Sequence, residues 1–399
     1  MKLVKEDLIK HVKKIRKELD HDDSDININE IIYNSEKDEM WIITPDRPDK
    51  SIVIGKGGWV VGRLREELHI NRIHVESYSD YILKKYRMEL SLETVNSFIN
   101  KEKQQKIDDK FKKQKNNTKK SEHESLIKPM ENLKSLLEER IKNVYNFSLD
   151  EYFNQKNDFI INNSNNNSDN ENKNKINESK IIIALSGGVD SSFSLALAKK
   201  LGFNPTAITI DPGTIVLPKQ FKDNINKLCD DLEITHKYIQ VNYDELINDS
   251  LNGRFHPCGR CSDIIEETLF NYGIKNNIDM VIFGDMLSTG SQCIIKYNLD
   301  FDTFNNILNA KNIENKKNKE IFRLNLPATL SIGKEEIRNT VEKYNLEKIK
   351  GFGCPLLYEV HKKYPYLKKF SIQRILRETR AGALEPGEAL NLIWSFYKA

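Results

Sequence analysis

No stretch constrains the chain more than Lys180 to Lys199. Ile181 to Leu185 is a continuous apolar run that suits a strand buried on both faces, and Ser192 to Lys199 has the composition of a helix. Between them lie Ser186, Gly187, Gly188, Val189, Asp190, Ser191 and Ser192. Paired glycines let the backbone turn tightly and approach an anion, and the three hydroxyls add donors beside the free N–H groups of a helix start. Asp190 suits such a site only if a Mg²⁺ ion bridges its carboxylate to phosphate oxygens. A capped strand-turn-helix connection without a ligand is the plainer alternative, but the pattern is longer than a cap requires.

Ser-Gly-Gly-x-Asp-Ser-Ser directly after a short aliphatic strand resembles the PP-loop of the ATP pyrophosphatase superfamily. The Gly-Lys-Ser/Thr of a Walker A loop is missing. The resemblance implies cleavage of ATP to AMP and pyrophosphate. It also implies an α/β fold, a doubly wound parallel sheet of the adenine nucleotide alpha hydrolase type, with ATP and Mg²⁺ held at Ser186, Gly187, Gly188, Asp190, Ser191 and Ser192.

The chain then alternates strands and helices as a parallel sheet requires: strands at Thr206 to Ile210, Thr235 to Val241 and Met280 to Gly284, and a helix at Phe221 to Leu232. Ligands of such sheets bind outside the carboxyl ends of the strands, so the glycine loop, Asp211, Gly284 and Asp285 should converge on one crevice. Capping a turn is the alternative role for Asp285. Lys334, in Leu-Ser-Ile-Gly-Lys-Glu-Glu-Ile, lies near a helix start in a segment that resembles the late part of nucleobase-thiolating pyrophosphatases. There it would face phosphate or the reacting base.

Five cysteines in 399 residues make no secreted disulfide framework, and a reducing cytoplasm suits them. Cys258 and Cys261 form a Cys-x-x-Cys pair, and Cys354 follows in Gly-Phe-Gly-Cys-Pro. Thiolates are soft ligands for iron–sulfur clusters or zinc, and three without a fourth leave a metal position open. Cys229 and Cys293 read as inert buried thiols. A cysteine pair plus a distant cysteine in a PP-loop chain resembles the archaeal-type tRNA-thiolating enzymes, which implies a [4Fe-4S] cluster on Cys258, Cys261 and Cys354. Persulfide chemistry at the same thiols is the alternative. Two other family features, a paired zinc-finger set and a rhodanese tail, are absent from the sequence.

The first hundred residues read as a separate α+β module: a helix from Lys5 to Leu19, strands at Ile26 to Tyr33 and Met40 to Thr44, the glycine cluster Gly55, Lys56, Gly57, Gly58, a helix from Trp59 to Leu68, and a strand at Arg72 to Glu76. This order resembles a type II KH domain, whose Gly-x-x-Gly loop clamps single-stranded nucleotides. A degenerate module that only packs is the alternative. Residues 101–125 form a Lys-rich linker, either a tether or a solvated helix, and 126–399 the catalytic domain. An Asn-rich insertion at 162–180 is expected to be disordered. Arg374, Arg377 and Arg380 recur every three residues near one helical face, where they would either meet RNA phosphate or pair with Glu378.

Net charge is +3, so any nucleic-acid contact must come from local patches. The sequence contains no apolar run long enough for a membrane and no signal pattern, which points to a soluble, cytoplasmic chain. Together the resemblances imply ATP-dependent tRNA thiolation: a nucleobase carbonyl, uridine favoured, is adenylated, and sulfur from sulfide or a persulfide carrier then displaces AMP. A homodimer is compatible with this. A PP-loop ligase or amidating enzyme acting on a small metabolite, and a non-catalytic RNA-binding protein, are the other classes left open.

Overall fold

A computed structural model of the chain describes residues 4–114, 124–154, 180–287, 290–299, 319–346 and 354–398. The expected Asn-rich insertion, apart from Lys180, lies outside the described residues, as do the end of the Lys-rich linker and the Gly-Phe-Gly before Cys354. The chain divides into two compact units. One is Met1–Tyr86 with Ile141–Phe147, and the other is Arg87–Arg140 with Ser148–Ala399.

In the first unit, helix α1 (Lys5–Glu18) precedes strands β1 (Glu30–Asn34) and β2 (Glu39–Thr44), helices α2 (Arg47–Ile54) and α3 (Trp59–Leu68), and strand β3 (Arg72–Ser77). β2 lies centrally, antiparallel to β1 and parallel to β3. Leu8, Val12 and Ile15 on one face of α1 share a core with Ile42, Val53, Val60, Leu64 and Val75. The expected first strand begins later than Ile26, although Ile26 and Ile28 are buried beside it. Helix α2 was not expected. Its signals were present: Asp46 caps it by accepting from the Arg47 N–H at 2.8 Å, and Pro48 occupies the first turn.

The second unit holds most of α4 (Tyr78–Gln114), so the first part of the Lys-rich stretch is helical, followed by α5 (Glu124–Lys142). Its sheet starts with β4 (Ile181–Ala184), α6 (Val189–Lys200), β5 (Thr206–Asp211), α7 (Lys219–Asp231) and β6 (His236–Gln240). After α8 (Asp244–Leu251) and α9 (Pro257–Lys275) come β7 (Met280–Phe283), β8 (Ile294–Leu299) and β9 (Lys319–Asn325). The chain closes with α10 (Leu326–Thr329), α11 (Lys334–Glu342), α12 (Pro355–Lys363), α13 (Lys368–Arg380) and α14 (Pro386–Lys398).

The sheet order is β6-β5-β4-β7-β9-β8, parallel throughout except for the antiparallel edge strand β8. The chain moves outward from β4 through β5 to β6, then crosses to the other side for β7, so the order reverses beside β4. This is the doubly wound α/β arrangement expected. β4, buried on both faces, sets Ile183 opposite Ala207 on one side and Ile282 on the other.

Candidate functional site

The loop after β4 leaves the sheet where strand order reverses, the position at which open α/β sheets bind ligands. Its hydroxyls organise its own backbone. Ser191 Oγ accepts from the Ser186 N–H at 3.2 Å and donates to the Gly188 carbonyl at 3.0 Å, and Ser186 Oγ lies 3.1 Å from it. Gly187 has φ +75°, and a Cβ there would stand 2.9 Å from the Phe221 carbonyl oxygen. Gly284, just beyond β7, packs so closely that a Cβ would come within 3.0 Å of the Ser191 backbone nitrogen. Two separate glycines therefore shape one cradle, and with its serine hydroxyls it fits a phosphate chain.

Asp190 stands in the first turn of α6, 33% exposed, and its carboxylate is ion-paired with Lys334, 21% exposed, at the start of α11. Residues 144 positions apart thus meet. An accessible carboxylate beside a phosphate cradle fits a Mg²⁺ ion carried by the phosphates. The Glu378 carboxylate lies 4.0 Å from the same ammonium.

Asp211, at the end of β5, is fully engaged by protein. Its carboxylate accepts from Lys222 Nζ at 2.5 Å, Gln240 Nε2 at 2.8 Å and the Gly213 N–H at 3.1 Å. Burial disfavours its charge, but these donors outweigh burial and hold its pKa below the ordinary carboxylate range. Asp285 is exposed and paired with Arg323, which also pairs with Glu266 and stacks over the Phe283 ring at 4.2 Å. Lys222, Gln240 and Arg323 were not anticipated, nor was the approach of Glu378 to Lys334. Each comes from an element far in sequence from its partner or from an unremarkable helix face, so no local pattern marks it.

The cysteine pair lies at the start of α9, the helix that crosses over to β7, and a crossover helix begins at the carboxyl edge of its sheet. Cys354 immediately precedes α12, which is tied by the Leu356 N–H to the Ile215 carbonyl at 3.0 Å, in the turn after β5. Cys261 and Cys354 pack on one hydrophobic cluster. Burial, opposed by Arg374 and reinforced by Cys354 and Cys261, pushes the Cys258 thiol up to about 11. Burial likewise raises Cys261, against its hydrogen bond with the Tyr243 hydroxyl, and Cys354, against the N–H groups of Leu357 and Leu356. Among the described residues, no group of three or more His, Cys, Asp or Glu side chains is gathered to hold a metal ion. The three are electrostatic neighbours whose soft donors suit a thiolate-bound centre, and a metal held there would have to displace their protons. His256, two residues before Cys258, lies 3.0 Å from Ser371 Oγ of α13, and Ser371 Oγ lies 3.3 Å from His361 Nε2.

Gly55, Gly57 and Gly58 join α2 to α3 with φ of 73°, 64° and 78°. A Cβ on Gly55 would fall 2.2 Å from Val60 Cγ2, whereas Gly58 faces open space. Lys56 is exposed, and Trp59 beside it is 68% exposed. Arg374, Arg377 and Arg380 are exposed on α13, with Arg374 Nε 3.9 Å from Glu378. No helix among the described residues is long and apolar enough to cross a membrane.

No protein-family model matches the chain. It is 31% identical over 214 residues to the uncharacterized protein MJ1638 of Methanocaldococcus jannaschii, a match covering 54% of this chain and 73% of that one. It is 33% identical over 128 residues to the tRNA-specific 2-thiouridylase MnmA 2 of Fusobacterium nucleatum, covering 30% of this chain and 37% of the relative. A match of 28% over 203 residues to the tRNA-specific 2-thiouridylase MnmA of Endomicrobium trichonymphae covers 42% and 54%. The chain therefore spans roughly a third to a half of these thiouridylases. Among solved structures, the U34-tRNA thiolase NcsA of Methanococcus maripaludis with its [4Fe-4S] cluster aligns at TM-score 0.29 and 20% identity, over 56% of this chain and 72% of that one. The NH3-dependent NAD synthetase of Campylobacter jejuni aligns at 0.29 and 17%, over 63% and 93%. With its Ser186–Ser192 loop at the reversal of a doubly wound sheet, the chain belongs to the family of the Methanocaldococcus jannaschii protein, within the PP-loop ATP pyrophosphatase superfamily.

Proposed function

We propose that the chain is an ATP-dependent tRNA-thiolating enzyme. The observation that carries this reading is a phosphate cradle with Asp190 and Lys334 on the same carboxyl edge of the sheet at which α9 presents Cys258 and Cys261. Sequence relatedness to tRNA-specific 2-thiouridylases supports the substrate class.

In this reading the loop N–H groups and serine hydroxyls receive the ATP phosphates, and Asp190 holds their Mg²⁺ ion. A nucleobase carbonyl oxygen attacks the α-phosphorus, the bond to the bridging oxygen breaks, and pyrophosphate leaves with that electron pair. Lys334 stabilises the charge that develops on the phosphates. Sulfide adds to the activated carbon, and AMP leaves with the former carbonyl oxygen; where the sulfur comes as a persulfide, its terminal sulfur adds, AMP leaves, and a second cysteine thiol attacks the S–S bond, freeing the thionucleoside and leaving a disulfide. A [4Fe-4S] cluster held by Cys258, Cys261 and Cys354 would supply an iron site at which sulfide can bind.

RNA recognition is assigned to the first unit. Its α-β-β-α-α-β order, with Gly55 to Gly58 between adjacent helices, agrees with a KH-like module, and Gly58 leaves room for a sugar–phosphate backbone. Arg374, Arg377 and Arg380 are a second candidate contact. ATP–pyrophosphate exchange that requires added tRNA, with a thionucleoside in digests of the product, is the expected result. Exchange driven by a small metabolite without tRNA would make the chain a ligase or amidating enzyme, and tRNA binding without exchange would make it a binding protein.

A further inference from the structure

The pairing of Asp190 with Lys334 creates a conflict once the loop is read as a Mg²⁺·ATP site, and this inference rests on that reading. A divalent ion that takes the Asp190 carboxylate removes the nearest counter-charge from a largely buried ammonium and sets a second cation beside it. Lys334 would then swing away from the loop, which does not serve a phosphate-facing cation.

The surrounding geometry supplies a second hold. The Lys334 N–H donates to the Ala383 carbonyl at 2.9 Å, and the Ala383 N–H donates to the Glu378 carbonyl at 3.0 Å, so the start of α11 is fixed to the end of α13. From that end Glu378, its side chain 18% exposed, directs its carboxylate to within 4.0 Å of Lys334 Nζ. Arg374, one turn earlier, steadies Glu378 from the far side at 3.9 Å. Four charges of alternating sign therefore run from the loop into α13: Asp190, Lys334, Glu378 and Arg374.

We propose that Glu378 is a positioning residue for ATP cleavage, holding Lys334 at the phosphate loop when Mg²⁺ takes over Asp190. Without Glu378, Lys334 keeps Asp190 as its one carboxylate partner among the described residues and competes with the metal for it. The requirement for Mg²⁺ should then rise even though Glu378 never touches the nucleotide.

The test is equilibrium binding of a non-hydrolysable ATP analogue to the full chain across a Mg²⁺ titration, with the melting temperature of the ligand-free protein measured in parallel. Glu378→Gln should raise the Mg²⁺ concentration for half-saturation roughly five-fold, the size expected for one partly buried ion pair. Glu378→Asp, which keeps the charge, should recover most of the shift. Arg374→Gln should move the midpoint in the same direction by less, and it carries the test if Glu378→Gln does not fold. A Glu378→Gln protein, or Arg374→Gln in its place, with the wild-type Mg²⁺ midpoint would overturn the role, whatever its melting temperature. Wild-type protein without Mg²⁺-dependent binding would overturn the ATP-site reading and this inference with it.

Discussion

Asp190→Ala is expected to abolish pyrophosphate release while tRNA affinity, measured by filter binding, stays near wild type, because the change removes a metal ligand rather than an RNA contact. Equal loss of both would place Asp190 elsewhere in the reaction. A second residue-scale prediction concerns pH. Thr209 Oγ1 donates its one proton to the Leu185 carbonyl at 2.7 Å and so accepts from His236 Nε2–H at 2.8 Å, which fixes a proton on Nε2 of that ring. Burial pushes His236 down to about 4, and burial, with His256 and Lys368, does the same to His361. The unfolded chain takes up these protons near pH 6.5, and the folded chain takes them up only near 4. The unfolded state therefore binds more protons inside that window, and stability should fall as pH drops from about 6.5 to 4 and stay level above it. Urea midpoints from pH 7 to pH 4.5 check this, and His236→Gln should flatten part of the slope. Asp190, Lys334 and the three cysteines were legible because short spacings and Gly- or Pro-flanked context mark them. Arg323 and the reach of Glu378 to Lys334 were not, since an acid or a base on a helix or strand is ordinary until its distant partner is known.

At the scale of elements, the glycine loop separates two demands that one motif conceals. Gly55→Ala should destabilise the full chain by at least 2 kcal/mol, because the positive φ costs about 1–2 kcal/mol and the clash with Val60 adds to it. Gly58→Ala meets no neighbour and should cost only about 1 kcal/mol of backbone strain. Thermal melts compare the two. Changing Gly57 and Gly58 together to Asp should weaken tRNA binding while ATP binding by the same full-length protein is unchanged, and unaltered tRNA affinity would leave the first unit a packing role. Helix α3 was legible to the residue and α1 to within one, because long amphipathic periods speak for themselves. The short helix α2 was hidden by its apolar Ser-Ile-Val-Ile end, which reads equally well as a strand. Strands β8 and β9 were missed for another reason: they flank a polar Asn- and Lys-rich stretch, and β9 gains its place from pairing with β7, whose register no local pattern gives.

For the whole molecule, protein purified without oxygen should be brown and carry about four irons per chain, with each of Cys258, Cys261 and Cys354 required for both colour and thionucleoside formation. Adenylation, followed as AMP release, should survive each Cys→Ser change, because the phosphate loop uses no thiol. Zinc in place of iron would reject the cluster, and metal-free protein that still thiolates tRNA would favour persulfide transfer. A parallel sheet was legible because β4, β5 and β7 are short apolar runs in a strand–helix alternation, whereas its doubly wound order was an expectation from the PP-loop resemblance and not from any local pattern. The two-unit division also bears on how the chain is born. The first unit draws Ile141–Phe147 into itself, and Tyr145 from that segment stacks on Tyr81 at 4.4 Å. A ribosome that has finished Tyr86 must still make Arg87–Arg140 before that segment exists, a wait of roughly 3 to 10 seconds at ordinary elongation rates. For that interval the nascent unit leaves the Tyr81 ring without its native cover, and a nascent chain stalled between Tyr86 and Arg140 should be cut by protease faster than one released past Phe147.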